Sequence, residues 1–392
     1  MNIIVIGAGA SGLVASIIAR EKGNNVMLLE KENKVGRKLL MTGNGHCNMA
    51  HTNIEAEDYY DDISENDNFI NDVLNAFSFE AFTDFFKRIG VIIKNENGYI
   101  YPASMQATTV VNALRNHAES IGIKIKTNNE VQNIEFRDSI YFVDCGYVYE
   151  CEKLIVASGG LSYTNIDSPK NILASLEKLG LEVREPEPAL TALLSDSKIT
   201  KASGVRVNAK IKLFDKDKEV ISEYGQIQIT DYGISGIPVF NISRFAKTGN
   251  EVHIDFVNDT EKEDLINDLN LLLSTNNFNI YNLLCGLLND KLAAIIVDEI
   301  GAEKDDDVSL DILERAVSLM KDYVVVISGK RDFDFAQVTK GGVSTTCINP
   351  KTMQAVGYNN LYLCGEIIDI DSKCGGYNLY FAWATGFIAG NN

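Results

Sequence analysis

Residues 3–6, IIVI, are apolar without alternation, as expected of a strand covered on both faces. Glycines at 7, 9 and 12 interrupt the run, a helical pattern continues to about Arg20, and a second apolar segment, NVMLLE, ends at Glu30. Together these predict a β-α-β unit of about 30 residues. Residues 69–89 and 107–120 carry apolar positions at helical spacing. KIKT, EVQNIEF and IYFVDC read as strands, and EKLIVASGG as a buried strand running into glycines.

The texture changes after EPEPAL at 185–190, which holds two of the six prolines. Residues 205–257 alternate as antiparallel strands do. From 261 to 323 the pattern is helical and leucine-rich, with EKDDDV at 303–308 expected as a solvated loop between helices. YVVVISGK returns to strand, and the tail from Leu361 reads as strand, loop and helix.

Of the 392 residues, 45% are hydrophobic and 23% charged, as in ordinary globular chains. The length favours two to three domains. The net charge of −18 repels phosphate backbones and anionic membranes, which disfavours nucleic acid and lipid as partners. The N-terminus imitates a signal peptide, yet it lacks a basic start and its apolar run is broken by glycines. No stretch reaches the roughly 18–20 apolar residues of a membrane span. Seven cysteines are scattered without a C-x-x-C pair, which suggests reduced thiols and a cytoplasmic location.

GAGASG at 7–12 fits G-x-G-x-x-G between a strand and a helix, with an acid at the end of the next strand. Gly7 permits the tight turn, Gly9 lets backbone approach a pyrophosphate, and Gly12 allows close helix packing. The helix N-terminus then offers N–H groups to phosphates, and Glu30 accepts from ribose hydroxyls. An unliganded β-α-β turn is the competing reading, and the dinucleotide is NAD or FAD. VASGG at 156–160 suits close approach of backbone to a flat or phosphorylated ligand. LCGE at 363–366 sets a carboxylate after a strand, where it would hold a sugar-like chain. CGGYN at 374–378 opens the final helix, whose N-terminus would stabilise charge on a reduced ring. RKLLMTGNGHCNM at 37–49 reads as a metal site, a reactive thiol or a cradle.

On GAGASG, GRKLLMTGNGHCN, YGISG, QVTKGGV, NPKTMQA and LYLCGEIIDIDSKCGGYNLYFAWATGFIAG, the chain resembles the two-dinucleotide-binding-domain FAD flavoproteins. Within them it is most similar to the group that includes aminoacetone oxidases and bile-acid dienone reductases. The resemblance runs from residue 3 to 390. It implies an α/β fold, a Rossmann-like FAD-binding domain (1–186 and 338–392) interrupted by a β-rich, barrel-like domain (187–257 and 322–337) and a small helical domain (258–321). It also implies that Arg37, Lys38, Thr42, Gly43, Asn44, Gly45 and Asn48 run beside FAD, so the opening stretch is a cradle with Cys47 as a small structural residue. By the same resemblance Ala10, Ser11, Lys31, Val131, Ser158 and Gly159 belong to the cofactor site. So do Gly365, Glu366, Gly375, Gly376, Tyr377 and Asn378. No metal is expected, since His46 and Cys47 have no second ligand pair at suitable spacing.

Three departures stand out. His46 replaces the family's usual arginine, Asp231 replaces its histidine, and YTNIDSPKNIL follows SGG in place of a glycine-rich turn. The expected function is an FAD-dependent oxidoreductase that moves a hydride between a small organic substrate and the flavin. The β-rich domain is expected to roof the cleft. Asp231 and Tyr232 are candidates for acid–base work, against the plainer reading of a solvent-facing turn. No second glycine fingerprint exists, so NAD(P)H would meet the flavin only transiently, or dioxygen would be the oxidant. A non-catalytic FAD-binding regulator and an FAD-dependent tRNA-modifying enzyme are the alternatives; the charge disfavours the latter.

Overall fold

The apolar run at the start becomes the middle of a five-stranded parallel sheet. Asn2–Ile6 is flanked by Asn25–Leu29 and Lys153–Val156, with Lys124–Lys126 beyond the former and Leu361–Leu363 beyond the latter. Ile3 to Ile6 are all buried, which explains why the sequence shows no alternation there. The computed structural model describes residues 1–61, 67–163 and 168–392. These fall into two units, Met1–Glu187 with Val338–Asn392, and Pro188–Gln337.

In the first unit, helix Ala10–Glu21 packs against the last helix, Tyr377–Asn391, through small residues. A Cβ on Gly386 would lie 2.4 Å from the Ser11 carbonyl oxygen, and one on Gly390 2.5 Å from that of Ala15. Glycine is needed at both positions for the helices to approach this closely. The helical pattern over 69–89 proves to be two helices, Asp67–Ala76 and Phe79–Arg88. Ser78 separates them: its hydroxyl accepts from the Ala81 N–H at 3.2 Å and so caps a new helix start. The second of these buries Phe82, Phe85 and Phe86, and Phe86 meets the fully buried Trp383 edge-on at 5.1 Å.

The second unit is built on a seven-stranded antiparallel sheet, led by the long hairpin Arg206–Asp215 and Lys218–Thr230. Tyr323–Val326 pairs with Glu251–Asp255 at one edge, while Gly329–Lys330 pairs with Leu193–Leu194 at the other. Between them the Ile327 and Ser328 N–H groups donate to Asn250 and Leu194 carbonyls, each at 2.9 Å. One stretch thus serves both edges and curls the sheet into a barrel-like form. Helices Lys262–Thr275, Ile280–Cys285, Asp290–Glu299 and Leu310–Lys321 follow the strands. Leu269, Leu284, Ile296 and Val317 from these helices share one apolar core with Ile211, Ile254 and Val325. The shared core accompanies residues 188–337 as one unit. Among the described residues, no helix is long and apolar enough to cross a membrane.

Candidate cofactor site

The three glycines of the first turn do different work. Gly7 has φ +97° and donates to the Leu29 carbonyl at 2.8 Å; a Cβ there would sit 2.3 Å from the Ala157 carbonyl oxygen. A Cβ on Gly12 would sit 1.8 Å from the Gly7 oxygen. Both are packing requirements. Gly9 is different, because a Cβ there would meet nothing within 4 Å. It caps the first helix without a side-chain bond, and the first helical bond runs from Leu13 back to Gly9. The N–H groups of Ala10, Ser11 and Gly12 therefore precede the ladder beside open space, in the geometry that suits an anion.

Glu30 is buried at the end of the second strand. Its carboxylate accepts from the Ala8 N–H at 2.8 Å through one oxygen and from the Glu32 N–H at 2.9 Å through the other. The first bond pins the glycine turn. Burial nonetheless pushes its pKa above the usual carboxylate range. Each oxygen keeps a lone pair for a further donor such as a ribose hydroxyl. Lys31 follows with its ammonium nitrogen buried and without a hydrogen-bond partner, and burial lowers its pKa. Arg37, in contrast, is largely exposed and ion-pairs with Glu32 at 2.7 Å.

The opening stretch forms a short helix, Arg37–Met41, and a tight turn, Thr42–Gly45, in which Gly43 and Asn44 are left-handed. The Thr42 hydroxyl donates to the Leu39 carbonyl at 2.7 Å, while Gly45 has open space around its α-carbon. His46 bonds the Met105 carbonyl at 2.9 Å through Nδ1. Cys47 is fully buried, and burial pushes its thiol up to about 12. Asn48 has a buried Oδ1 without a hydrogen-bond partner. Lys38 reaches across to Glu366 at 2.6 Å. Among the described residues, no three His, Cys, Asp or Glu side chains converge as metal ligands.

The tail folds onto these segments. Gly365 has φ +75°, and its N–H donates to the Thr385 hydroxyl at 2.9 Å. Gly375 and Gly376 both have positive φ. The final helix begins at Tyr377, so Gly376 is its cap at φ +94° rather than part of its first turn. A Cβ on Gly376 would approach the Ala50 carbonyl at 2.7 Å and Asn48 Oδ1 at 2.8 Å. The Tyr377 ring stacks on His51 at 5.3 Å, and Asn378 clamps Ser372 by bonds of 3.0 Å in both directions. After the fourth parallel strand, Ser158 holds a buried hydroxyl without a partner, and Gly159 is left-handed in open space. Val131 lies in the apolar core.

Gly160 and Thr339 lie within VASGG and QVTKGGV, but the sequence assigned no role to Thr339. A Cβ on Gly160 would lie 2.4 Å from Thr339 Oγ1, and the Thr339 N–H donates to Glu366 at 2.7 Å. Gly160 was legible as the last glycine of VASGG; nothing in the strand VTKGGV singles out its threonine. The divergent turn after SGG falls partly at 164–167, outside the described residues.

In the second unit, Asp231 and Tyr232 are the two loop residues of a hairpin whose last pairs are Ile229–Ile234 and Thr230–Gly233. Asp231 is exposed, while Tyr232 is partly covered, with the Arg331 guanidinium 4.7 Å above its ring.

The first unit fits FAD on its own geometry. Open space faces free helix N–H groups at Gly9, a buried carboxylate at Glu30 keeps spare lone pairs, and Asn48 and Ser158 hold buried polar atoms without partners. The family model described as HI0933-like protein Rossmann domain matches residues 1–392. A 3-dehydro-bile acid delta(4,6)-reductase of Clostridium scindens is 32% identical, covering 98% of this chain and 97% of the relative. A ribosomal RNA dihydrouridine synthase of Haemophilus influenzae is 28% identical, with 98% and 96% covered. The solved 3-ketosteroid-delta4-(5alpha)-dehydrogenase of Rhodococcus jostii RHA1 shares the fold at a TM-score of 0.50 and 12% identity, over 99% of this chain and 95% of that one. The chain belongs to the HI0933-like Rossmann family, and it is an FAD-dependent oxidoreductase.

Proposed function

We propose that the chain reduces a carbon–carbon double bond conjugated to a carbonyl in a small organic substrate. The observation that carries this is the 32% identity to a delta(4,6)-reductase along nearly the whole chain. A dienone and a uracil ring share that bond type, so the dihydrouridine synthase relatives fit the same chemistry. FAD, when bound, supplies the hydride, and NAD(P)H is the proposed electron source.

The domain formed by 1–186 and 338–392 holds the cofactor. Ala10, Ser11 and Gly12 present N–H groups to the pyrophosphate, Glu30 accepts from the ribose, and Lys31 lies beside it. Lys38 and Glu366 meet the sugar-alcohol chain, while Asn48, Ser158 and the Gly375–Gly376 turn flank the ring. Asp231 or Tyr232 delivers the proton that completes saturation. The net charge of −18 supports a small molecule over a polynucleotide, and the scattered free cysteines support a cytoplasmic location. The second reading, reduction of uridine in ribosomal RNA, rests on relatives that match 98% of this chain.

The test is anaerobic. Protein reduced with NADPH or by light is mixed with a steroid dienone, with simple enones and with a ribosomal RNA fragment. Recovery of flavin absorbance with the enones alone supports the proposal, recovery with RNA alone favours the second reading, and recovery with neither refutes both.

A further inference from the structure

Thr339 is 3% exposed and joins three segments that are remote in sequence. Its hydroxyl accepts the Leu161 N–H at 2.8 Å and the Ser162 N–H at 3.1 Å, and it lies 2.9 Å from the Ser162 hydroxyl. A hydroxyl oxygen has two lone pairs, and two backbone N–H groups fill them. The hydroxyl proton of Thr339 is therefore the one directed to Ser162. On its other side, the Thr339 N–H donates to one Glu366 oxygen at 2.7 Å, while Lys38 holds the other at 2.6 Å. Gly160 closes the arrangement, because any side chain there would displace the Thr339 hydroxyl.

The consequence concerns the carboxylate. Both Glu366 oxygens are fixed by protein donors, as both oxygens of Glu30 are, and each keeps one lone pair for a ligand. We infer that Thr339 is a positioning residue whose hydroxyl presets the 160–162 turn, beside the carboxylate that its backbone N–H holds, for the FAD they receive. The inference rests on the cofactor reading above. A preset turn binds without first losing conformational freedom, so removing its support weakens affinity with no contact to the ligand lost.

The experiment measures FAD dissociation constants by flavin fluorescence in stripped and reconstituted protein, with circular dichroism as a check on folding. Thr339→Val keeps the shape and removes a hydroxyl that makes three hydrogen bonds; its FAD affinity should fall about tenfold or more, at least the worth of one ordinary hydrogen bond. Thr339→Ser retains the hydroxyl and should stay within about threefold, less than that bond is worth. A merely structural threonine would lose melting temperature in T339V without losing affinity, and wild-type affinity in T339V overturns the inference. Should T339V not fold, Thr339→Ala is measured instead and read as FAD dissociation rates; a wild-type rate there overturns it equally. Wild-type protein that binds no FAD refutes the cofactor reading instead.

Discussion

The Ser11 hydroxyl oxygen fills the space that a side chain on Gly365 would enter, since a Cβ there would lie 2.4 Å from it. The same hydroxyl donates to the Cys364 carbonyl at 3.3 Å. The first helix and the tail loop thus meet through one small side chain and one absent one. Gly365→Ala should lower stability by about 1–3 kcal/mol through overpacking and reduce FAD content. Adding Ser11→Gly should restore part of both. Thermal melts and flavin absorbance check this; a double variant no better than the single would show that the clash is not what matters.

Gly9 and Gly12 separate ligand space from packing space. Gly9→Val should leave the melting temperature of the FAD-free protein nearly unchanged, because its side chain enters an opening. FAD binding should be lost. Gly12→Ala should destabilise even the FAD-free protein, with the Gly7 carbonyl 1.8 Å from the added carbon. Equal melting losses in the two variants would refute the distinction.

Glu30 predicts a pH dependence. Burial raises its pKa, so the folded protein holds its proton more tightly than the unfolded chain. Stability from this group is present below the ordinary carboxylate range and is lost as pH rises through the raised value. FAD-free wild type should gain melting temperature relative to Glu30→Gln as pH falls through the raised value toward the ordinary carboxylate range. Glu30→Gln should also weaken FAD, by about 1.5–3 kcal/mol for a charge-assisted bond. A difference between the two melts that is flat in pH would dismiss the carboxyl as the titrating group.

Cys47 should be inert. With its thiol pushed up to about 12 by burial, alkylation by iodoacetamide near pH 8 should spare it in the folded protein. Cys47→Ser should retain FAD. Mass spectrometry of the alkylated peptide decides; rapid labelling of Cys47 would mean that the turn opens.

Much of this was readable in the sequence, and the exceptions have physical causes. IIVI, GAGASG and NVMLLE specify their elements locally, so strand, turn and helix follow from the residues themselves. The division of 69–89 by Ser78 was less visible, because apolar spacing continues across the cap. Gly376 illustrates another limit. Its place just outside the helix depends on the Ala50 backbone and Asn48, which lie far away in sequence. Thr339 has the same origin, since its role exists only once 160–162 and 366 have been brought beside it.

Asp231→Asn tests the proposed proton delivery. FAD content should be unchanged, since the residue lies at an exposed hairpin loop in the second unit. Turnover of a conjugated enone should fall by about 10²-fold or more if the carboxyl is the acid–base group. Steady-state rates from pH 5 to 8 give the answer; equal rates across that range would return Asp231 to the role of a turn residue and leave Tyr232 as the candidate.

Val183–Ala189 and Val338–Val343 are neighbouring strands, and everything between them forms the second unit. The chain therefore leaves the cofactor-binding unit and re-enters it at adjacent points. An excursion with such close ends is a cassette: it can lengthen, shorten or be exchanged without moving the parallel sheet or the glycine turn.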